Sequence, residues 1–213
     1  MTADWLADTR TSYDTVAADY ATIVRGIFGT DAYLRGVLRL FADLTAGGSD
    51  GGGPVLDAGC GPGHVTAHLA GLGVDAFGVD LSPGMIEVAR RDHPGLRFEV
   101  GTMTALDLPA ASLAGLLAWW SLVHVPDEAL PSIMAEFRRV VRPGGVVLLG
   151  FHVGSGSRHK TEGYGGHPMD VHVYRRGIAE LSGLLVSAGF TVETEIALQP
   201  LSERPGGIVI ARS

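Results

Sequence analysis

The sequence predicts an α/β fold: a mostly parallel sheet with helices on both faces, preceded by an N-terminal helical cap. Two observations carry this. The first is the stretch Pro54–His64, where a short apolar run (Val55, Leu56) reaches Asp57 and then a loop with glycine at every second position, Gly59, Gly61 and Gly63. A helical pattern follows (Val65, His68, Leu69, Leu72), so the loop joins a strand to a helix N-terminus. The second is the remainder of the chain, in which apolar runs alternate with helical patterns, the arrangement that favours a parallel sheet.

Taken in order, residues 1–46 read as helical, with Tyr13, Val16, Ala17, Tyr20, Ile23 and Val24 at helical spacing. A second helix over 32–44 presents Leu34, Val37, Leu38 and Phe41 on one face. Residues 47–53, Gly-Gly-Ser-Asp-Gly-Gly-Gly, read as a flexible linker. The cap (1–46) is too small to stand alone and belongs with residues 54–213 in one domain. Strands are predicted at 54–58, 74–79, 96–100, 113–120 and 145–151, and helices at 63–72, 83–92, 127–141 and 175–188. Ser82 is the candidate N-cap of the helix at 83–92, with Pro83 at its first position. The run 113–120 is apolar enough for a buried central strand. Arg142-Pro143-Gly144-Gly145 ends the preceding helix. Residues 151–174 read as a long, polar, glycine-rich loop, and 190–198 with 207–212 as a β-hairpin. There is no internal repeat.

Composition narrows the function. The 213 residues, 46% of them hydrophobic, suit one domain with a substantial core. No apolar run approaches a membrane span, so no membrane partner is expected. The N-terminus lacks a basic region followed by an apolar stretch, so no signal peptide is visible. A single cysteine, Cys60, excludes an internal disulfide and suits a reducing cytoplasm. Its place inside the glycine loop marks it as a small packing residue rather than a nucleophile. Net charge is −7, against a broad nucleic-acid footprint.

The loop reads G-x-G-x-G. A dinucleotide fingerprint needs G-x-G-x-x-G, but the next position here is His64, and no lysine follows as a phosphate loop requires. A second apolar run ends at Asp80, about 20 residues past the glycines, where such folds place an acid on ribose hydroxyls.

On these residues the chain resembles the class I S-adenosylmethionine-dependent methyltransferases, most closely the small type-11 or ubiquinone-biosynthesis-like branch. The resemblance runs from about Tyr13 to the end. Its marks are Val-Leu-Asp-Ala-Gly-Cys-Gly-Pro-Gly (55–63), Gly-Val-Asp-Leu-Ser-Pro-Gly-Met (78–85) and Arg-Val-Val-Arg-Pro-Gly-Gly (139–145). It implies a Rossmann-like sheet of seven strands with the last antiparallel. It also implies S-adenosylmethionine as cofactor, S-adenosylhomocysteine as product, and a small-molecule methyl acceptor.

Ligands of such sheets sit beyond the carboxyl ends of the strands. Asp57 and the loop backbone (Gly59, Cys60, Gly61, Gly63) are therefore expected to face the methionine moiety. Asp80 is expected at the ribose, with Leu81 and Met85 lining the adenine side. After the third strand the family usually carries an acid for the adenine amino group. Here Thr102 stands in its place, and Met103 offers a backbone N–H and an apolar surface. Trp119 and Ser121 are expected to line the ligand from below. Tyr13-Asp-x-x-Ala-x-x-Tyr20 matches a segment that commonly folds over the cofactor; Tyr20 is the candidate contact, while Tyr13 reads as core. His124 occupies a position near the transferring methyl in relatives. It reads either as a general base, should the acceptor be a hydroxyl or ring nitrogen, or as a residue that orients its loop.

On the acceptor side, His152 and one of Tyr164 or His167 are expected in the pocket. Four histidines in 151–174 raise the question of a metal, but no motif of metal-ligand spacing accompanies them, and none is expected. Two other readings compete. A nicotinamide oxidoreductase is disfavoured by His64 and by the lack of a Tyr-x-x-x-Lys pair. A protein that binds S-adenosylmethionine without transferring the methyl shares the same cofactor motifs. Acceptor atom and oligomeric state are not encoded in these patterns.

Overall fold

The computed structural model describes residues 4–25, 31–47, 52–199, 201–203 and 205–213. Most of the predicted linker, residues 48–51, lies outside the described residues, as do parts of the predicted cap at 1–3 and 26–30.

Two helices open the chain, α1 (Trp5–Arg25) and α2 (Ala32–Ala46). There follow β1 (Val55–Ala58), α3 (His64–Gly71), β2 (Ala76–Asp80), α4 (Pro83–Asp92), β3 (Phe98–Val100) and β4 (Leu113–Trp119). After short 3-10 turns at Leu122–His124 and Asp127–Ala129 come α5 (Leu130–Val140), β5 (Val141–His152), β6 (Ser157–Gly163) and β7 (His167–Tyr174). The chain closes with α6 (Ile178–Ser187), β8 (Thr191–Leu198) and β9 (Gly206–Arg212).

Seven strands form one sheet in the order β3-β2-β1-β4-β5-β9-β8. Strands β1 to β5 run parallel; β9 is antiparallel to β5 and to β8, so the predicted C-terminal hairpin forms, with β9 inserted between β5 and β8. The strand order reverses between β1 and β4, which leaves a crevice beyond their carboxyl ends.

Helices cover both faces. On one, Ile133, Met134, Phe137 and Val140 of α5 and Leu181 and Leu185 of α6 pack with Leu116, Val147 and Leu149 of the sheet. On the other, Val37, Leu38 and Phe41 of α2 pack with Leu69 of α3 and with Leu117 and Leu148. Burying one Leu- or Phe-sized side chain contributes about 1.5–3 kcal/mol. α2 thus belongs to the sheet's own helical layer, while α1 packs on α4 and β7. The Asp31 carboxylate caps α2, accepting from the N–H of Tyr33 (2.9 Å) and Leu34 (3.1 Å). The Ser82 cap forms too: its Oγ accepts from Met85 N at 3.1 Å.

The loop expected at 151–174 is instead mostly a hairpin. β6 and β7 pair antiparallel as a separate two-stranded sheet, and the turn between them places Tyr164, Gly165 and Gly166 at positive φ. Burial along β7 alternates: Met169 and Val171 are buried, while Pro168, Asp170 and His172 are exposed. The buried pair joins Val16, Ala17 and Ala21 of α1 and Met85 and Val88 of α4. A hairpin with so little apolar surface gains its support from this docking.

Candidate functional site

The strand tips at the switch point and helix α1 enclose a cleft of about 810 Å³, open mouth included. Its floor is built by the β1–α3 loop. The N–H groups of Gly59 and Cys60 donate to the carbonyl of Val79 at 2.7 and 3.1 Å, which holds the loop against β2. Gly59 has φ 76°, and a Cβ there would stand 2.3 Å from Ser121 Cβ. Only glycine satisfies both demands. Asp80, at the end of β2, accepts from Gly61 N at 2.8 Å through Oδ2 and from Ser82 N at 2.9 Å through Oδ1. Each oxygen retains a lone pair for a ligand. Burial raises the Asp80 pKa, and these backbone donors oppose the rise.

Beneath the floor, Asp57 is 1% exposed. Its Oδ2 accepts from Thr66 Oγ1 at 2.7 Å, and burial pushes its pKa up to about 7. Asp57 Oδ1 and Ser121 Oγ are buried polar atoms without a hydrogen-bond partner in the structure.

The lid is α1, one face of which presents Trp5, Leu6, Thr9, Arg10, Tyr13 and Tyr20 to the cleft. Asp14 ties it down, accepting from Ser82 Oγ at 2.6 Å and Gly84 N at 2.9 Å. Tyr13 Oη lies 2.7 Å from His124 Nε2. The edge of Tyr20 meets the Tyr164 ring at 4.8 Å, and Lys160 Nζ lies 3.6 Å from that ring's centre. Burial lowers the His124 pKa to about 4, so its imidazole is neutral near pH 7. The turn carrying His124 is fixed by Arg176, which is 3% exposed. Its guanidinium donates to the carbonyls of Leu122 (2.9 Å) and Val125 and to the Asp127 carboxylate.

Of the residues singled out from the sequence, Tyr20, Gly59, Gly61, Asp80, Leu81, Met85, Thr102, Met103, Trp119, Ser121 and His124 line the cleft. The others do not. Asp57 lies under the loop, bound to Thr66. Cys60 is buried against Gly78 and Phe98, and Gly63 abuts Phe98, so both face the α4 side. His152 turns away, its Nδ1 accepting from Trp120 Nε1 at 3.3 Å, and lines a separate hollow with Tyr33 and Leu34. Tyr164 packs against the rings of Tyr13 and Tyr20 in α1. His167 pairs with Asp19 at 2.6 Å near the surface. Tyr13, read as core, is a cleft residue.

Thr102 Oγ1 is 2.8 Å from Thr104 Oγ1 and accepts from Thr104 N at 3.2 Å. The four histidines of 151–174 do not converge on one point: His159 pairs with Asp170 and stacks on His172, while His152 and His167 lie against other partners. Among the described residues no group of three or more His, Cys, Asp or Glu is placed to hold a metal ion. No described helix is long and apolar enough to cross a membrane. Trp5, Leu6, Thr9, Arg10 and Arg176 were missed. For the first of these a signal existed: Trp5, Thr9 and Tyr13 recur every four residues, a single stripe on the helix.

Residues 55–145 match the family described as "Methyltransferase domain". These residues form a methyltransferase domain. Over 166 residues the chain is 31% identical to a probable S-adenosylmethionine-dependent methyltransferase of Mycolicibacterium smegmatis, covering 75% of this chain and 62% of the relative. Over 105 residues it is 37% identical to a malonyl-(acyl-carrier protein) O-methyltransferase of Serratia marcescens, covering 49% of this chain and 40% of the relative. The chain thus spans 40% and 62% of these curated relatives' lengths. Among solved structures, the DhpI–SAH complex is similar with a TM-score of 0.73 at 23% identity, over 100% of this chain and 98% of that one. The 1,6-didemethyltoxoflavin-N1-methyltransferase of Burkholderia thailandensis has a TM-score of 0.63 at 24% identity, over 92% and 90%. These likenesses concern the fold.

Proposed function

We propose that the protein is an S-adenosylmethionine-dependent methyltransferase acting on a small molecule. The observation that carries this reading is the floor of the cleft in a methyltransferase domain. Gly59 and Gly61 leave bare backbone where a Cβ at Gly59 would collide with Ser121. Asp80 stands beside them with lone pairs to spare, and Ser121 Oγ is a buried polar atom lacking a partner. This cradle fits the cofactor. Asp80 would accept from its ribose hydroxyls, Gly59 and Gly61 would leave room for its methionine part, and Leu81, Met85, Thr102 and Met103 would flank its adenine. Asp57 acts from below, fixing α3 through Thr66.

When bound, S-adenosylmethionine supplies an electrophilic methyl group on sulfur. The protein's part is to align the acceptor and exclude water. The tryptophans and α1 close the cleft for that purpose. A net charge of −7 favours a small acceptor over nucleic acid, and a lone buried cysteine suits the cytoplasm.

Isothermal titration with S-adenosylmethionine and S-adenosylhomocysteine tests the reading, followed by incubation of metabolite pools with methyl-labelled cofactor. Binding and transfer of label are the expected results. Asp80→Ala should weaken binding by about ten-fold or more, since a hydrogen bond to a charged group contributes about 1.5–3 kcal/mol. Absence of binding, or an unchanged affinity in Asp80→Ala, would count against the reading.

A further inference from the structure

Tyr13 and His124, 111 residues apart, meet in the wall of the cleft, with Oη 2.7 Å from Nε2. On its other side the imidazole places Nδ1 2.7 Å from the carbonyl oxygen of His172, in β7. A carbonyl oxygen only accepts, so Nδ1 carries the hydrogen. A neutral imidazole has one N–H, and Nε2 is therefore an acceptor. The hydroxyl of Tyr13 must then donate to it. With its proton committed, Tyr13 Oη has only lone pairs left to offer a ligand. Tyr13 itself accordingly presents the cleft with a hydrogen-bond acceptor and no donor. Its position is fixed from three directions: by Asp14 on the same helix, by the His172 carbonyl, and by Arg176 under the turn of His124.

We infer that Tyr13 selects methyl acceptors whose reacting atom carries a hydrogen, a hydroxyl or an N–H, by accepting that hydrogen at Oη. The inference rests on the methyltransferase reading and deepens it. The same contact gives the proton a route. As the acceptor atom bonds to the methyl carbon, the carbon–sulfur pair returns to sulfur and the acceptor's proton moves to Tyr13 Oη. Tyr13's own proton passes to His124 Nε2. The imidazolium so formed keeps its Nδ1–H on the His172 carbonyl and later releases the extra proton to water. A molecule with no hydrogen on its reacting atom, such as an ether, meets lone pair against lone pair.

All three tryptophans of the chain, Trp5, Trp119 and Trp120, line the cleft, so intrinsic fluorescence reports its occupancy. The test uses 4-nitrophenol and its methyl ether 4-nitroanisole as quenchers, in saturating S-adenosylhomocysteine at about pH 5.5, where the phenol and His124 are both neutral. The wild type should bind the phenol about ten-fold more tightly than the ether. In Tyr13→Phe the ratio should fall to about one, with ether binding retained. In His124→Ala the freed Tyr13 hydroxyl can donate, and the ether should bind more tightly than it does to the wild type.

Equal affinities in the wild type, a preference for the ether, failure of both probes to bind, or a preference that survives in Tyr13→Phe each overturn the inference. Tyr13→Phe, a change of one oxygen atom, keeps the test decisive if His124→Ala does not fold. A prior titration with S-adenosylhomocysteine separates the two levels. If it binds and the phenol is not preferred, only the role of Tyr13 falls. If it does not bind, the methyltransferase reading falls and takes this inference with it.

Discussion

Gly59, Gly61 and Asp80, on the floor of the cleft, are held by main-chain N–H groups that donate to the Val79 carbonyl and the Asp80 carboxylate at neighbouring strand tips. Tyr13 and Tyr20, in the lid, are held by side chains from α4, the turn after β4, and the β6–β7 hairpin. The floor is a matter of backbone shape, where one added carbon has nowhere to go. The lid is a sum of separable contacts, each of modest strength, and can give way without the sheet. The contrast suits a site that grips one part of its contents through a fixed frame and admits another through a movable wall.

The largest effect should come from the floor. Gly59→Ala forces a left-handed φ on alanine and drives its Cβ to 2.3 Å from Ser121 Cβ. Backbone strain and overpacking each cost about 1–3 kcal/mol. Denaturant unfolding should show the sum, and S-adenosylhomocysteine titration should show binding lost. Adding Ser121→Gly relieves the collision but not the strain, so it should restore stability in part. Full restoration would mean that packing alone demands glycine there; no restoration would mean that φ alone does.

Second comes the apolar seat of the lid. Met169→Ala removes a buried side chain shared by α1, α4 and β7. Such truncations cost about 2–5 kcal/mol. Lys160, in β6, is the chain's sole lysine, so a protease that cuts only after lysine has one target. A local loss of about 2 kcal/mol should raise its cutting rate roughly thirty-fold, since 1.4 kcal/mol is a factor of ten. The circular dichroism of the seven-stranded sheet should persist. Cutting at the wild-type rate would show that the lid rests elsewhere.

The same contrast explains what could be read in advance. Floor residues lie within a few positions of their partners, or one strand away: Gly59 and Gly61 follow β1, and Asp80 ends β2. Spacing and residue type therefore carried their geometry. Lid residues depend on pairings across more than a hundred positions, such as Tyr13 with His124 and Ser12 Oγ with Asp170 N. Nothing local marks those. The hairpin was half legible: Met169, Val171 and Val173 alternate with polar residues as a strand does, but β6 (Ser157–Gly163) is almost wholly polar and looks like a loop. His152 illustrates the limit. Its place at the end of β5 is legible, but nothing local marks the hydrogen bond its ring accepts from Trp120, 32 positions away.

Third, the pH dependence of stability should expose opposite contributions from floor and lid. Asp57 has its pKa raised to about 7, so the folded state holds a proton that the unfolded state loses above about pH 4. Its contribution to stability falls as pH rises from about 4 to about 7. His124, with its pKa lowered to about 4, has the reverse sign. The unfolded state takes up a proton below about pH 6.5 that the folded state refuses, so stability is lost as pH falls through 6.5 toward 4. The two oppose each other over much of this range. Asp57→Asn keeps an oxygen for the Thr66 hydroxyl and removes the charge. It should be more stable than the wild type by on the order of 2 kcal/mol at pH 8, with the gain vanishing near pH 4. Urea unfolding at the two pH values reads this directly. A gain independent of pH would place the cause outside the titration of Asp57.

The smallest effect should come from the exposed polar clasp of the lid. His167 and Asp19 meet at 2.6 Å, but their side chains are 40% and 54% exposed. Water screens such a pair, and exposed ion pairs contribute about 0–1 kcal/mol. His167→Gln should therefore change the rate of cutting after Lys160 by less than about five-fold, well below the change in Met169→Ala. The pair and the apolar cluster fasten the same two elements, α1 and the β6–β7 hairpin, so the two variants compare an exposed polar contact with burial at one joint. If His167→Gln opened the hairpin as far as Met169→Ala does, the lid would be a charge-held wall. Its closure should then weaken with added salt, which a seat of Met169, Val171 and Val16 would not do.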